Sequence, residues 1–325
     1  MRIFALDGSE LLGAAIAKSI GVVLDAHEER DFENGEHKAR PLVSVRGEDV
    51  YIIHSLNGDE KYSANDKLVR LLLFVATCRE NGAARVTAIA PYLAYSRKDR
   101  QTKSRDPVTT RYVAQLFEAV GADMVVTLDV HNIVAFQNAF RCATTHLDTR
   151  KLFAADIKSR AGDQRVVIFS PDSGGVKRAQ LLKEAYENTS SKMAGFGFME
   201  KRRSEGVVSG DLFAGDVDGA MVFIIDDMIS SGGTMLRAAK ACRARGAQHV
   251  FAYATHGLFG EGVGEMFSDP AFDRIVVTDS VMPFRIAPDL IANRLEVISS
   301  ATLFADAIMR LHGDGSINRL LQDGS

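Results

Sequence analysis

Residues 222–240, VFIIDDMISSGGTMLRAAK, decide how the rest of the chain is read. The apolar run Val222, Phe223, Ile224 and Ile225 predicts a buried strand, and Leu236, Ala238, Ala239 and Ala241 belong to a helix that follows. Between them lie an acidic pair, Asp226 and Asp227, and a small-residue loop containing Ser230, Ser231, Gly232, Gly233 and Thr234. Strand, loop and helix in this order build a phosphate site: the first helical amides lack intrahelical acceptors and sit at the positive end of the helix dipole. Gly232 and Gly233 would let the backbone approach an anion closely and adopt positive φ. Two carboxylates beside such a cradle suit a ligand that carries hydroxyls as well as phosphate, since carboxylates accept from hydroxyls while amides take the phosphate. A phosphorylated sugar meets both demands. The plainer alternative is a strand-to-helix turn in which Ser and Gly are only punctuation.

Composition narrows the surroundings of this site. With 46% hydrophobic and 25% charged residues, the 325-residue chain is globular rather than disordered and long enough for two domains. A net charge of −3 provides no global basic field for nucleic acid or an anionic membrane. Cys78, Cys142 and Cys242 are far apart and form no CxxC, as expected of reduced thiols in a cytoplasmic protein. The N-terminal segment is interrupted by Asp7 and Glu10, and no apolar run is long enough to span a bilayer.

Periodicity predicts strands at 2–6, 43–45, 50–53, 86–90, 124–130, 166–170, 250–255 and 275–279. Helices are expected at 10–20, with Ser9 as cap, at 65–81, up to Val120 and at 176–186, with another near 263–267. The alternation predicts doubly wound α/β domains with mainly parallel sheets and helices on both faces, and ligands beyond the carboxyl ends of the strands. APYLAYSRKDR is laid out like SPDSGGVKRAQ, and VVTLDVHN like VFIIDDMISSGGT, a hint of two related halves.

Three further clusters fall at or near predicted strand ends. Arg97, Lys98, Asp99, Arg100, Lys103 and Arg105 form a compact basic loop, which suits one highly charged small molecule, such as a nucleoside triphosphate, better than a nucleic acid. His131 follows Asp129, and Asp172 stands in PDSGGV; with substrate phosphates, one imidazole and one carboxylate can complete a Mg²⁺ shell. Lys201, Arg202 and Arg203 lie between glycine-containing segments, as on a flap whose cations could stabilise a phosphoryl group in transit. Each cluster also has a bland reading as a solvated surface loop or, for His131, a structural side chain.

The loop at 226–234 resembles the phosphoribosyl diphosphate binding loop shared by phosphoribosyltransferases and ribose-phosphate pyrophosphokinases. PYLAYSRKDR, PDSGGVKRA and the KRR run, taken in order, are similar to motifs of the second family along nearly the whole chain. The resemblance implies two phosphoribosyltransferase-like domains, 1–148 and 149–298, with 299–325 packing back on the first. It implies transfer of the diphosphoryl group of ATP to ribose 5-phosphate, with Mg²⁺ held by His131 and Asp172. Arg97, Lys98, Asp99 and His131 would then serve ATP, and Lys201 and Arg203 would be catalytic. Asp226, Asp227 and residues 230–234 would hold ribose 5-phosphate. By composition, residues 31–36, DFENGE, are only a turn. The resemblance makes Phe32, Asn34 and Glu36 grip the adenine of a nucleotide held by a neighbouring subunit, in a homo-oligomer that is a hexamer or otherwise dimer-based. Three departures stand out: Lys98 where the family has glutamine, Ser230-Ser231 where it most often has Asp-Thr, and the tail SINRLLQDGS. Ser44 and Arg46 match positions of the family's regulatory phosphate and ADP site. The rival readings are a phosphoribosyltransferase, a noncatalytic regulatory relative and an RNA binder.

Overall fold

The computed structural model describes residues 1–204 and 207–321, and the side chains of these residues other than 201–211. The chain divides into two compact units, Met1–Asp148 with Ser300–Ser325, and Thr149–Ser299. The first contains strands β1 (Arg2–Ala5), β2 (His27–Asp31), β3 (His37–Pro41), β4 (Asp49–Ile53), β5 (Arg85–Ala90), β6 (Met124–Leu128) and β7 (Ala143–Leu147). The second contains β8 (Val166–Ser170), β9 (Gly195–Ser204), β10 (Val207–Ala214), β11 (Met221–Ile229), β12 (His249–Gly257), β13 (Arg274–Thr278) and β14 (Leu295–Ile298).

In the first unit β1-β4-β5-β6-β7 form a parallel sheet, and β2 and β3 pair as a separate antiparallel hairpin. In the second, the order is β10-β9-β8-β11-β12-β13-β14, parallel except for edge strand β10. The α/β alternation and the mainly parallel sheets are those the periodicity predicts. Central strands are apolar on both faces because helices cover both. Along β11 and β12, Val222, Ile224, Val250 and Ala252 join one core cluster, while Phe223, Ile225, Phe251 and Tyr253 join another on the opposite face.

Two local expectations fail, and charge or edge position hides some strands from the periodicity. Ser9 sits at the N-cap of the helix Glu10–Ile20 but makes no capping bond. Its Oγ accepts from the Ser55 N–H at 2.9 Å and lies 3.3 Å from His54 Nδ1, so a buried polar demand outcompetes the cap. Residues 43–45 are not a strand, despite two valines. The hairpin β2–β3 was hidden by its charge, since HEERD and HKARP carry little apolar signal. Strand β7 was hidden likewise: ATTHL is an edge strand with an exposed first residue.

After the second unit the chain returns to the first. Helix Ala301–His312 packs Phe304 and Ile308 into the cluster of Leu12, Ile16, Tyr51 and Ile53. Arg85 donates to the Leu311 carbonyl at 2.7 Å and chelates Asp49, which also meets His312 at 2.8 Å. No helix among the described residues is long and apolar enough to cross a membrane.

Candidate active site

In the second unit, β11 delivers Asp226 and Asp227 to its carboxyl end. Asp227 is 3% exposed, and its N–H donates to Asp226 Oδ1 at 2.8 Å. Burial, then the negative charge of Asp227, pushes the Asp226 carboxyl well above the usual carboxylate range. Arg178 works against that shift. Its guanidinium lies 3.8 Å from Asp226 Oδ1 and 3.6 Å from Asp227 Oδ1. Sequence reading missed this residue; the available signal was a basic side chain in the first turn of the helix Val176–Ser190, where a helix disfavours positive charge.

The loop after the acids has the geometry of an anion cradle. Helix Gly233–Arg243 makes its first intrahelical bond from Leu236 N–H to Gly232 O at 2.9 Å, so the amides of 233–235 have no intrahelical acceptor. Only one of the two glycines takes positive φ. Gly232 has φ +78°, and a Cβ there would lie 2.6 Å from Met266 Sδ; a Cβ on Gly233 would find nothing closer than Ser231 Oγ at 4.0 Å. Gly232→Ala is therefore expected to cost about 1–3 kcal/mol, against roughly 0.5 kcal/mol or less for Gly233→Ala. Chemical denaturation of both variants checks this, and equal costs would contradict the assigned strain. Backbone bonds from Phe259 N–H to Ile229 O and from Gly260 N–H to Ser230 O, both 3.0 Å, support the loop from behind.

Asp172 follows β8. Its Oδ1 accepts from Gly175 N–H at 3.0 Å, and Ser170 Oγ donates to its carbonyl at 2.7 Å, so the carboxylate is held in place by one oxygen. Lys201 and Arg203 belong to β9, with backbones opposite Asp211 and Val208; their side chains lie outside the described residues.

In the first unit, two of the predicted clusters meet. The basic loop follows β5, the DVHN stretch follows β6, and Asn132 Nδ2 donates to Asp99 Oδ2 at 2.7 Å. Asn132 Oδ1 also accepts from the amides of Val134 and Ala135, which fixes its orientation. Arg97 and His131 are exposed. Lys98 is not aimed at a free anion: Nζ donates to Asp106 Oδ2 at 2.6 Å. The same carboxylate collects Thr102 Oγ1 at 2.7 Å and the amides of Thr102 and Lys103. These donors, Lys98 first, hold the Asp106 carboxyl far below the usual range. Lys98 thus closes the loop on itself. Tyr95 and Asp129 take positive φ, 64° and 40°, at the two strand exits that frame the cluster.

Phe32, Asn34 and Glu36 lie at the β2–β3 turn, where Gly35 has φ +87°. Phe32 is 42% exposed, with the Arg30 guanidinium 5.3 Å from its ring centroid. Asn34 Oδ1 accepts from Glu36 N–H at 3.2 Å, so it shapes the turn. The hairpin is fastened to the body by Arg70, another residue not singled out from sequence. Arg70 meets Glu29 Oε2 at 3.4 Å, pairs with Asp31, and lies 3.8 Å from the Tyr62 ring centroid. Burial pushes the Cys78 and Cys242 thiols up to about 12, which removes both as nucleophiles.

The family described as the N-terminal domain of ribose phosphate pyrophosphokinase matches residues 1–121, and the phosphoribosyl synthetase-associated domain matches residues 209–322. A ribose-phosphate pyrophosphokinase of Hyphomonas neptunium is 35% identical over 98% of this chain and 99% of its own length. One from Agrobacterium fabrum is 34% identical over the same shares. The crystal structure of phosphoribosylpyrophosphate synthetase from Mycobacterium smegmatis superposes with a TM-score of 0.84 at 30% identity, covering 97% of this chain and 99% of that one. With similarity running along nearly the whole chain, the chain belongs to the ribose-phosphate pyrophosphokinase family.

Proposed function

We infer that the chain transfers the diphosphoryl group of ATP to the C1 hydroxyl of ribose 5-phosphate, giving 5-phosphoribosyl 1-diphosphate and AMP. The observation that carries this reading is the full-length kinship joined to an acidic pair and an anion cradle on one strand-loop-helix unit. The sugar oxygen forms a bond to the β-phosphorus and loses its proton to solvent, while the bond from that phosphorus to the oxygen shared with the α-phosphate breaks and AMP leaves with that oxygen. Asp226 and Asp227 would accept from the ribose hydroxyls, while Ser230, Ser231 and the amides of Gly232, Gly233 and Thr234 receive the 5-phosphate. Arg97 and Asp99 would seat the nucleotide, with Asn132 holding Asp99 in position. Lys98 would serve indirectly, by shaping the loop through Asp106. Lys201 and Arg203 would stabilise the charge spread over the transferring group.

The residues proposed for Mg²⁺ fit that ion by their chemistry. Asp172 offers a carboxylate anchored through one oxygen by the Gly175 amide, and His131 offers an exposed imidazole. An Mg²⁺ held by these two residues would complete its shell with waters and substrate phosphates. Mg²⁺ bound to ATP would neutralise phosphate charge during the transfer. Phe32 and Glu36 on the β2–β3 turn are the proposed contacts to the adenine of a neighbouring subunit in a homo-oligomer, with Asn34 shaping the turn between them. The cytoplasm is the proposed location.

The test is AMP release from ATP and Mg²⁺ with and without ribose 5-phosphate. AMP that appears only with the sugar phosphate is the expected result. No AMP from folded protein that still binds nucleotide would overturn the reading in favour of a noncatalytic relative.

A further inference from the structure

We propose that Arg178 is the standing counter-cation of the Asp226–Asp227 pair, and that it sets the affinity for ribose 5-phosphate by cancelling part of the charge the dianion must meet. The proposal rests on the function inferred above. Its starting point is a charge conflict within one site. A sugar 5-phosphate carries close to two negative charges at neutral pH and must settle beside Asp226 and Asp227, whose burial and mutual repulsion already raise the Asp226 carboxyl above the usual range. The helix N-terminus that faces them contributes only about half a positive charge. The guanidinium of Arg178, within 4 Å of both carboxylates, supplies a full one.

Two independent features mark this placement as more than a surface ion pair. Asp227 is 3% exposed, and a carboxylate so deeply buried requires compensation. Arg178 itself stands in the first turn of the helix Val176–Ser190, beside Lys177 and with no acidic residue in that turn. A cation at a helix N-terminus is locally unfavourable, so the helix would be more stable without it. A residue that breaks the local rule while satisfying a partner in the site is expected where function sets the choice. Arg178 touches the acids and not the reacting phosphorus in this scheme; it is a positioning residue.

Three full-length variants test the idea: R178A, R178Q, which keeps much of the side-chain length without the charge, and R178K, which restores a charge. R178A and R178Q are expected to raise the KM for ribose 5-phosphate by about tenfold or more, with the KM for ATP changing by less than about twofold. R178K is expected to recover most of the loss. Calorimetric binding of ribose 5-phosphate alone should show the same order, weakest for R178A and R178Q. If R178A fails to fold, R178Q and R178K carry the comparison. Wild-type affinity in a folded R178Q, or a parallel rise of both KM values, overturns the proposal. Should the wild-type protein release no AMP, the inferred reaction fails while calorimetry still judges Arg178.

Discussion

Arg203→Ala is expected to lower kcat by about a hundredfold or more while the KM for ATP shifts by less than about threefold. Transfer of a diphosphoryl group spreads negative charge over nonbridging oxygens as the bond to the leaving oxygen lengthens. A cation that meets those oxygens more closely in the transition state than in bound ATP accelerates the step without tightening ground-state binding. Lys201→Ala should show the same split, and the double variant should lose less than the product of the single losses if the two side chains act on one group. Steady-state kinetics with ATP binding measured separately provides the check. Equal losses in kcat and ATP affinity would assign both residues to nucleotide binding instead. Both stand on β9, the strand beside β8 that carries Asp172 at its end.

Arg70→Ala is expected to destabilise the first unit by about 3 kcal/mol or more. The Arg70 side chain is 5% exposed and that of Glu29 is 4% exposed. Burial pushes the Glu29 carboxyl up, and bonds from His27 and the Asp7 amide more than offset it, so Glu29 stays ionised below its ordinary value. Removing the guanidinium leaves that buried charge without its arginine. The pair with Asp31 adds little to this figure, because Asp31 is 44% exposed and screened by water. Tyr62 would lose the cation over its ring but keep its 2.7 Å bond to Asp31. Arg70→Lys should not rescue fully, since an ammonium cannot span two carboxylates and lie flat on a ring. Denaturant midpoints of both variants decide the matter; a loss below about 1 kcal/mol would show that the network relaxes without it. Arg70 is one of several attachments of the hairpin β2–β3 that bears Phe32, Asn34 and Glu36, so its loss should also weaken ATP binding.

Family, ligand class and central strands could all be read from the chain because they rest on local, contiguous patterns. Val222–Ile225 is an uninterrupted apolar run and becomes a strand buried on both faces; the residues after it are forced onto a strand end and a helix start. PYLAYSRKDR and PDSGGVKRA are likewise contiguous, so their order survives without knowledge of packing. Tertiary structure decided what depends on partners distant in sequence. Ser9 looks like a cap, yet His54 and Ser55, some 45 residues away, claim its hydroxyl. Nothing in the local pattern marks Arg70 or Arg178, yet Arg70 meets the buried Glu29 and the exposed Asp31, and Arg178 meets Asp226 and the buried Asp227, each on another element. The reason is common to all three: a local pattern records which face of an element is apolar, whereas the partner of a polar side chain is chosen only when packing brings distant groups within reach.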